Sequence, residues 1–403
     1  MSLTLYLNRH DWFQHMKDVE EQFPDYIPVI KGNGYGFGNE FLADAAVRSG
    51  KKSIAVGTLA EARALDETHT FDEMLILTPV LKNPGFNDMG KNRVYTVGSV
   101  SQLKHLIDTF SQLIDQQQSI WSGGEAFQLQ ILIKCQSSMK RYGFSSEEWT
   151  KVQSLIKEHS EGERLQLVVK GYSIHFPREG MTASQKETQI RNWIQLVNSQ
   201  GLPCEQMYVS HLSSEQYRIL RGEFPKTRFR IRLGTDLWLH DKSFFQTRTT
   251  VLDVKKIQKG ERFGYKQSRA KKSGHLVFVA GGTANGVGLE APAMVGSMRD
   301  RVKLTAFWFL HFTNRLLSPF TYQGKRIWFA EPPHMQTSVL YFPEGSKVPQ
   351  LGEELEVQLR MTTATFDQCV EIGKAEEAET EIQPDEKAQS KQEEKGKALN
   401  ALS

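Results

Sequence analysis

Cysteine is scarce in this chain, with three among 403 residues, at Cys135, Cys204 and Cys369. The three lie far apart and form no Cys-x-x-Cys pair, which argues against a disulfide framework and against a structural zinc ion. The sequence therefore predicts no metal centre and a reducing compartment, which we take to be the cytoplasm.

A long apolar run and an excess of one charge are also missing. No stretch of about 18 apolar residues is present, so a transmembrane helix is not expected. The start, MSLTLYLNRHDW, lacks the basic and apolar regions of a secretory signal. The 50 Lys and Arg residues nearly balance 47 Asp and Glu residues, leaving a net charge of +3. With no basic stripe interleaved with aromatics, the sequence predicts neither a nucleic-acid nor a membrane partner.

The composition and the length of the chain are sufficient for two folded domains. A hydrophobic fraction of 39% and a charged fraction of 24% are ordinary for a globular protein, and the length suits two domains. From Gly373 onward large apolar residues are nearly absent, so residues 373–403 are predicted to form a disordered, charged tail.

Short apolar runs alternate with amphipathic stretches throughout residues 1–236. The runs are IPVIK (27–31), SIAVG (53–57), MLILT (74–78), RVYTV (93–97), LQILIK (129–134), LQLVVKG (165–171), MYVSH (207–211) and RFRIRL (228–233). They show no regular apolar–polar alternation, which is typical of strands buried on both faces. Eight such strands with helices between them predict an α/β fold, a closed (β/α)₈ TIM barrel, with an open doubly wound sheet as the alternative.

The pattern of apolar and polar residues changes after Leu239. Segments such as TRTTVLDVKKIQKG and EELEVQLRM alternate apolar with polar residues, and Gly and Pro punctuate them. This pattern predicts a mostly antiparallel β-domain over residues 237–372.

The densest chemical signal is the string VIKGNGYGFG at residues 29–38. Lys31 ends a buried strand and would point into the mouth of the barrel, where the active sites of this fold lie. Partial burial favours the neutral amine that forms a Schiff base. The glycines that follow let a ligand approach the backbone, and Tyr35 supplies a hydroxyl within reach of the same mouth.

This string resembles the Lys-x-Asn-x-Tyr-Gly motif of the alanine racemase family, matched here by Lys31, Asn33, Tyr35 and Gly36. Members of that family are pyridoxal 5'-phosphate (PLP) enzymes with a barrel followed by a β-domain. The resemblance implies that Lys31 forms the aldimine with PLP and that Tyr35 contacts the PLP phosphate.

The resemblance continues along the barrel in the string ILIKCQSSMKRYGF. Lys134 stands where the family often has a carbamylated lysine. Arg141 stands where an arginine holds the PLP phenolic oxygen and that carbamate. The family's Asp-Thr-Gly between them is Gln136, Ser137 and Ser138 here. An arginine is a suitable partner for an oxyanion, and a solvated surface arginine is the alternative.

Two further strand ends resemble the family. The string GYSIHF implies that His175 packs against the PLP ring, and SHLSSEQ resembles the phosphate-binding segment, with Ser213 and Ser214 as the hydroxyl candidates. The same serines are placed to cap the helix that follows, and capping is compatible with phosphate binding at a helix N-terminus.

The string IRLGTDLW resembles the last barrel strand of the family. It implies that Arg232 faces the pyridine nitrogen of PLP, and that Gly234 and Thr235 offer backbone N–H groups to the phosphate. A fixed cation at that nitrogen disfavours its protonation, so PLP becomes a weaker electron sink. That suits rapid return of the Cα proton, as in racemisation.

The β-domain departs from the family pattern. The family's Gly-Tyr-Ala-Asp-Gly motif supplies a second catalytic base across a dimer interface, but residues 282–286 place Thr283 at the tyrosine position. A threonine hydroxyl is a poor general base. Met335 lies in a segment resembling the one that closes the substrate pocket, with Gln336 in place of an Asp. Phe366 stands where a tyrosine binds the phosphate.

The resemblance implies an isomerase, an amino-acid racemase that converts L-alanine to D-alanine for peptidoglycan precursors and works as a homodimer with composite sites. Thr283 through a water, Tyr265 and His334 are the candidates for the group on the second face of Cα. Two alternatives stay open. The protein is a one-base PLP enzyme acting on another amino substrate, or a non-catalytic, regulatory PLP-binding protein.

Overall fold

The computed structural model describes residues 2–82, 84–90, 92–116, 126–289 and 317–373, with a few positions between 298 and 312. The predicted tail therefore lies outside the described residues, apart from Gly373.

After an initial strand, β1 (Leu3–Asn8), eight parallel strands close into a barrel. They are β2 (Ile27–Ile30), β3 (Ser53–Val56), β4 (Glu73–Ile76), β5 (Arg93–Val97), β6 (Phe127–Lys134), β7 (Leu165–His175), β8 (Gln206–Ser210) and β9 (Arg228–Leu233). The ring closes where β2 pairs with β9. The predicted (β/α)₈ barrel is confirmed, and each apolar run of the sequence overlaps one of its strands.

The helices lie between and beside these strands. They are α1 (Arg9–Gln22), α2 (Asn39–Arg48), α3 (Leu59–Asp66), α4 (Val100–Gln116), α5 (Trp149–His159), α6 (Ala183–Ser199), α7 (Ser214–Glu223) and α8 (Thr235–Trp238). Thr58, Thr182 and Ser213 accept hydrogen bonds from the backbone of the third helical residue and so start α3, α6 and α7. Across the described residues, none of the helices is both long and apolar enough to cross a membrane.

Barrel strands are buried on both faces, which explains why their sequences do not alternate. Ile27, Val29 and Leu75 belong to a small apolar cluster of barrel residues. Ile30 and Ile76, on the same two strands, belong instead to the large cluster that includes the helices. Apolar side chains are therefore favoured on both faces of these short strands.

The second unit is a β-sheet. Its strands are β10 (Phe245–Ile257), β13 (Gly274–Ala280), β14 (Leu317–Tyr322), β15 (Lys325–Phe329), β16 (Thr337–Pro343), β17 (Glu354–Val357) and β18 (Gln368–Ile372), with a separate two-stranded ribbon, β11 (Arg262–Phe263) and β12 (Ser268–Arg269). The order is β13-β16-β15-β14-β17-β10-β1-β18, and β10 also pairs with β13. Every pairing is antiparallel except that of β1 with β18, so the predicted mostly antiparallel β-domain is confirmed.

Strand β1 ties the beginning of the chain to this second sheet. Residues 3–8, grouped with the barrel by sequence, pair with β10 and β18. Leu3, Leu5 and Leu7 are fully buried, and the Tyr6 hydroxyl donates a hydrogen bond to Glu354 at 2.7 Å. The alternation of buried leucines along β1 is the pattern of a sheet strand, but only long-range pairing identifies which sheet it joins.

Candidate active site

Four of the residues singled out in the sequence lie at the carboxyl ends of barrel strands. Lys31 follows β2, Lys134 ends β6, His175 ends β7 and Arg232 is the penultimate residue of β9. Burial lowers the pKa values of Lys31, Lys134, His175 and Arg232, and the positive charge of Arg141 lowers each of them further. The structure therefore brings these five residues together at one mouth of the barrel.

Lys31 has the electrostatic setting of a nucleophilic amine. Burial lowers its pKa, and the charges of Arg141 and Arg232 lower it further, while Glu61 opposes them. The side chain nevertheless remains exposed at the barrel mouth. A lowered pKa increases the fraction of neutral amine at neutral pH, which is the form that reacts with a carbonyl group.

The loop after Lys31 is held by the second unit. The side-chain amide of Asn33 donates to the carbonyl oxygens of Met361 at 2.8 Å and Ala364 at 2.5 Å. At Gly36, where φ is +95°, a Cβ would lie 2.8 Å from the Met361 methyl carbon. Asn33 and Gly36 of the motif therefore have structural roles that its sequence alone does not reveal, because their partners lie about 330 residues away.

Tyr35 lies against the start of α8. A Cβ built on Gly234 would lie 2.1 Å from the Tyr35 hydroxyl oxygen, so only glycine fits there. Burial, and then the nearby carboxylates of Asp236 and Glu61, raise the pKa of Tyr35 to about 12. The hydroxyl therefore stays protonated as a hydrogen-bond donor, beside Gly234.

Arg232 is a buried cation with no carboxylate partner among the residues that the structure describes. Its Nη2 donates to the carbonyl oxygen of Ile174 at 3.2 Å, and within the described part of the chain its buried Nε has no hydrogen-bond partner. Two residues earlier, Arg230 forms an ion pair with Glu73 instead. Burial lowers the pKa of Arg232 to about 10, with a smaller effect from Arg141. The guanidinium remains charged at neutral pH, with a donor left for a ligand.

Lys134 is a second amine with a lowered pKa at this mouth. Burial lowers the pKa of Lys134 to about 8, and the charges of Arg232, Arg141 and Lys31 contribute. Its Nζ lies 5.1 Å from the centre of the Tyr142 ring. A larger share of neutral amine at neutral pH is consistent with the carbamylation that the family resemblance implies for this position.

His175 is held as a neutral imidazole. Its Nδ1 and the Ser210 hydroxyl oxygen are 2.5 Å apart, and its ring meets the His211 ring edge to face at 5.2 Å. Burial lowers the pKa of His175 to about 2, and the charge of Arg232 adds to this effect. The imidazole is thus uncharged at neutral and mildly acidic pH.

The neutral His175 predicts an acid sensitivity of the cofactor-free protein. A histidine in the unfolded chain gains a proton below about pH 6.5, whereas folded His175 does not, so stability falls as the pH drops through this value. Between pH 6.5 and pH 5 this residue should lower the free energy of unfolding by about 2 kcal/mol. Urea unfolding at both pH values measures this loss of stability. His175→Gln should remove this loss and the exposed His10→Gln should not; equal losses in both variants would refute the interpretation.

Ser213 and Ser214, which follow β8, occupy different positions at the start of α7. Ser213 is the N-cap of α7, since its hydroxyl oxygen accepts the Gln216 N–H at 3.2 Å and the Gln216 side chain accepts the Ser213 N–H at 3.0 Å. Ser214 is the first residue of the helix and is half-buried. The start of α7 therefore presents both hydroxyls at the carboxyl end of the barrel, where an anion would also meet free backbone N–H groups.

Four other sequence candidates form a cluster in the second unit. The Thr283 N–H donates to the carbonyl oxygen of His334 at 2.7 Å, and the next N–H along the chain donates to that of Met335 at 2.9 Å. The Tyr265 ring packs against His334 at 5.0 Å. Tyr265 and Met335 are 87% and 72% exposed. Among the described residues, no hydrogen bond or ring contact joins this cluster to the barrel mouth.

Phe366 takes a packing role. Its ring contacts both the barrel core and the core of the second unit. The position that binds phosphate in the resembling family is therefore used here to join the two units.

The chain matches known proteins along most of its barrel. The family model described as "Alanine racemase, N-terminal domain" matches residues 9–240. The alanine racemase of Staphylococcus epidermidis is 27% identical over 254 residues, which are 59% of this chain and 60% of that protein. The chain thus spans about three fifths of the length of this curated relative.

Solved structures share the whole architecture. The alanine racemase of Clostridium difficile 630 superposes with a TM-score of 0.65 at 14% identity, covering 92% of this chain and 96% of that one. The alanine racemase from Bacillus anthracis with bound L-Ala-P gives 0.64 at 17% identity, covering 92% and 95%. At these identities the likeness establishes the fold.

The residues at the barrel mouth fit PLP. The buried Nε of Arg232 is a donor without a partner, and a pyridine nitrogen is an acceptor that would satisfy it. Lys31, Lys134 and Arg141 add positive charge at the same mouth, which suits an anionic, phosphorylated cofactor. The matched barrel and the shared two-unit architecture show that the chain belongs to the alanine racemase family.

Proposed function

We propose that the protein is a PLP-dependent amino-acid racemase that interconverts L-alanine and D-alanine. The observation that carries this proposal is the pairing of Lys31, an exposed amine with a lowered pKa, with Arg232, a buried cation that has an unpartnered donor, at one barrel mouth. The alanine racemase relatives supply the reaction class.

The residues that would hold the cofactor surround this mouth. Lys31 would anchor it covalently, His175 would pack against its ring as a neutral imidazole, and Arg232 would donate to its ring nitrogen. Lys134, in carbamylated form, and Arg141 would hold its phenolic oxygen. Its phosphate would be held by the Tyr35 hydroxyl and by hydroxyls and backbone N–H groups at the starts of two helices, from Ser213, Ser214, Gly234 and Thr235.

When bound, PLP supplies an electron sink that acidifies the Cα–H bond of an attached amino acid. The Lys31 amine takes and returns the proton on one face of Cα. The positive charge of Arg232 would disfavour protonation of the ring nitrogen, which would favour return of the proton to Cα over transfer elsewhere.

The group acting on the second face comes from the cluster around Thr283. A threonine has too high a pKa to act directly as a base, so we assign it the positioning of a water molecule. Met335 then contacts the substrate. Because Tyr265 and Met335 are exposed, we place this cluster at the interface of a homodimer, facing the barrel mouth of the partner, with the composite site complete only in the dimer.

The domain bounds and the cellular role are also proposals. We propose a barrel domain over residues 1–236 and a β-domain over residues 237–372, with strand β1 of the first range paired into the sheet of the second. A cytoplasmic location and a role in D-alanine supply for peptidoglycan are consistent with an alanine racemase activity.

The threonine at position 283, where the family has a catalytic tyrosine, favours a second candidate function. With a single base, the site would exchange the Cα proton on one face without changing chirality, or would act on another amino substrate. If the site has diverged further, the protein binds PLP without catalysing a reaction.

Exchange of the Cα proton in D₂O separates these functions. NMR and chiral chromatography would follow L- and D-alanine, and then other amino acids, with the PLP-loaded protein. Exchange with loss of chirality is the expected result. Exchange with retention would establish a one-base site, and no exchange with any amino acid would leave a PLP-binding role without turnover.

A further inference from the structure

The carboxylate of Glu61 connects helix α3 to the residue after Lys31. Its Oε2 accepts the N–H of Thr58 at 2.7 Å, which completes the capping box at the start of α3. Its Oε1 accepts the N–H of Gly32 at 2.6 Å. The second bond lies outside the capping box and fixes the peptide group that joins Lys31 to Gly32.

The neighbouring glycine makes this contact possible. A Cβ built on Gly57 would lie 2.7 Å from Glu61 Oε2 and 3.1 Å from Lys31 Cβ. Gly57 follows β3, which pairs with β2 just before Lys31. The absence of a side chain there lets the carboxylate and the Lys31 side chain pack against the same strand end.

The other side of Gly32 is held as well. Its carbonyl oxygen accepts the side-chain N–H of Asn39 at 3.2 Å, and φ at Gly32 is +63°. The carbonyl oxygen of Lys31 accepts the N–H of Gly34 at 3.2 Å. Without Glu61, the N–H of Gly32 would lose its partner in this arrangement.

Glu61 also opposes the cations at the barrel mouth. Its negative charge raises the pKa of Lys31, against the lowering by burial, Arg141 and Arg232. A glutamine at this position would carry one acceptor oxygen and no charge, so it would replace neither the second hydrogen bond nor the electrostatic effect.

We propose that Glu61 is a positioning residue for Lys31, which fixes the backbone at the anchoring lysine and balances the charge around its amine. The inference rests on the proposed function in one respect, the role of Lys31 as the covalent anchor. Glu61 itself touches neither the cofactor nor the reacting atoms in this assignment.

Lys31 reactivity in the cofactor-free protein tests the charge effect. Acetylation of Lys31 by N-hydroxysuccinimidyl acetate, followed across pH by peptide mass spectrometry, reports the fraction of neutral amine. Glu61→Gln should move the pH midpoint downward and increase the rate at pH 7.5 at least about threefold. The matched control is Glu148→Gln, since the Glu148 carboxylate accepts the Ser145 N–H in another capping box; it should leave the rate unchanged.

Glu61→Asp separates charge from geometry. It keeps the charge but is one methylene shorter, so it cannot span both N–H groups. We expect the wild-type pH midpoint with a severalfold slower formation of the borohydride-reducible PLP adduct at Lys31. Thermal unfolding monitored by circular dichroism confirms that each variant is folded.

The outcomes distinguish the two proposals. A midpoint and an adduct rate in Glu61→Gln equal to those of the wild type would overturn the role of Glu61. If reduction with borohydride labels another lysine in the wild type, the proposed function fails, while the acetylation profile still decides whether Glu61 controls Lys31.

Discussion

Lys31→Met should abolish the borohydride-reducible PLP adduct and reduce Cα-proton exchange about a thousandfold. Methionine keeps the length and the apolar stem of the side chain but has no amine to bind the cofactor or to move the proton. The adduct is measured by the mass of the reduced protein and its peptides, and the exchange by NMR in D₂O.

Another lysine with a lowered pKa, which lies away from the barrel mouth, provides the matched control. Burial, with a smaller effect from Arg230, lowers the pKa of Lys51 to about 8. The Lys51 Nζ packs on the Tyr26 ring, whose residue immediately precedes β2, at the opposite end of the barrel from Lys31. Lys51→Met should keep both the adduct and the exchange. A reducible adduct that persists in Lys31→Met would show that another residue anchors the cofactor.

Thr283→Tyr should increase racemisation of alanine at least about tenfold, because a phenol within reach of Cα is a far better acid–base group than an aliphatic hydroxyl. The backbone of Thr283 is held by the hydrogen bond from its N–H to His334, and its side chain is only half-buried. The larger side chain can therefore be added without removing that hydrogen bond. Chiral chromatography of the product from each enantiomer measures the rate.

Ala284→Tyr is the control for this gain. Ala284 is exposed in the same turn and its N–H bonds to Met335, so the variant adds a phenol one residue away from the assigned position. It should leave racemisation at the level of the wild type. An unchanged rate in Thr283→Tyr would mean that the site has diverged beyond the loss of one base.

The barrel could be predicted from sequence because its signals are local. Each apolar run is long enough to form one strand, and burial on both faces makes most of its positions apolar. Lys31 and Tyr35 are candidates for a similar reason, since a lysine at a strand end followed by glycines is a contiguous pattern. Even Ser213 was recognised as a helix cap from neighbouring residues.

Other features depend on partners that are distant in sequence. Strand β1 joins the second sheet through β10 and β18, about 240 and 364 residues further along the chain. Asn33 bonds to carbonyl oxygens of Met361 and Ala364. No local pattern encodes these pairings, because they arise only when both units are folded and packed.

The sequence by itself determined the barrel, the order of the two units and the set of residues at the strand ends. Only the tertiary structure decided how those residues act on one another. Within the described residues, Arg230 is paired with Glu73 whereas Arg232 has no carboxylate partner, and Glu61 lies at the peptide group beside Lys31. The physical reason is that periodicity and capping act over a few neighbouring residues, whereas burial, charge and hydrogen-bond partners at the barrel mouth are set by strands that meet only in the closed ring.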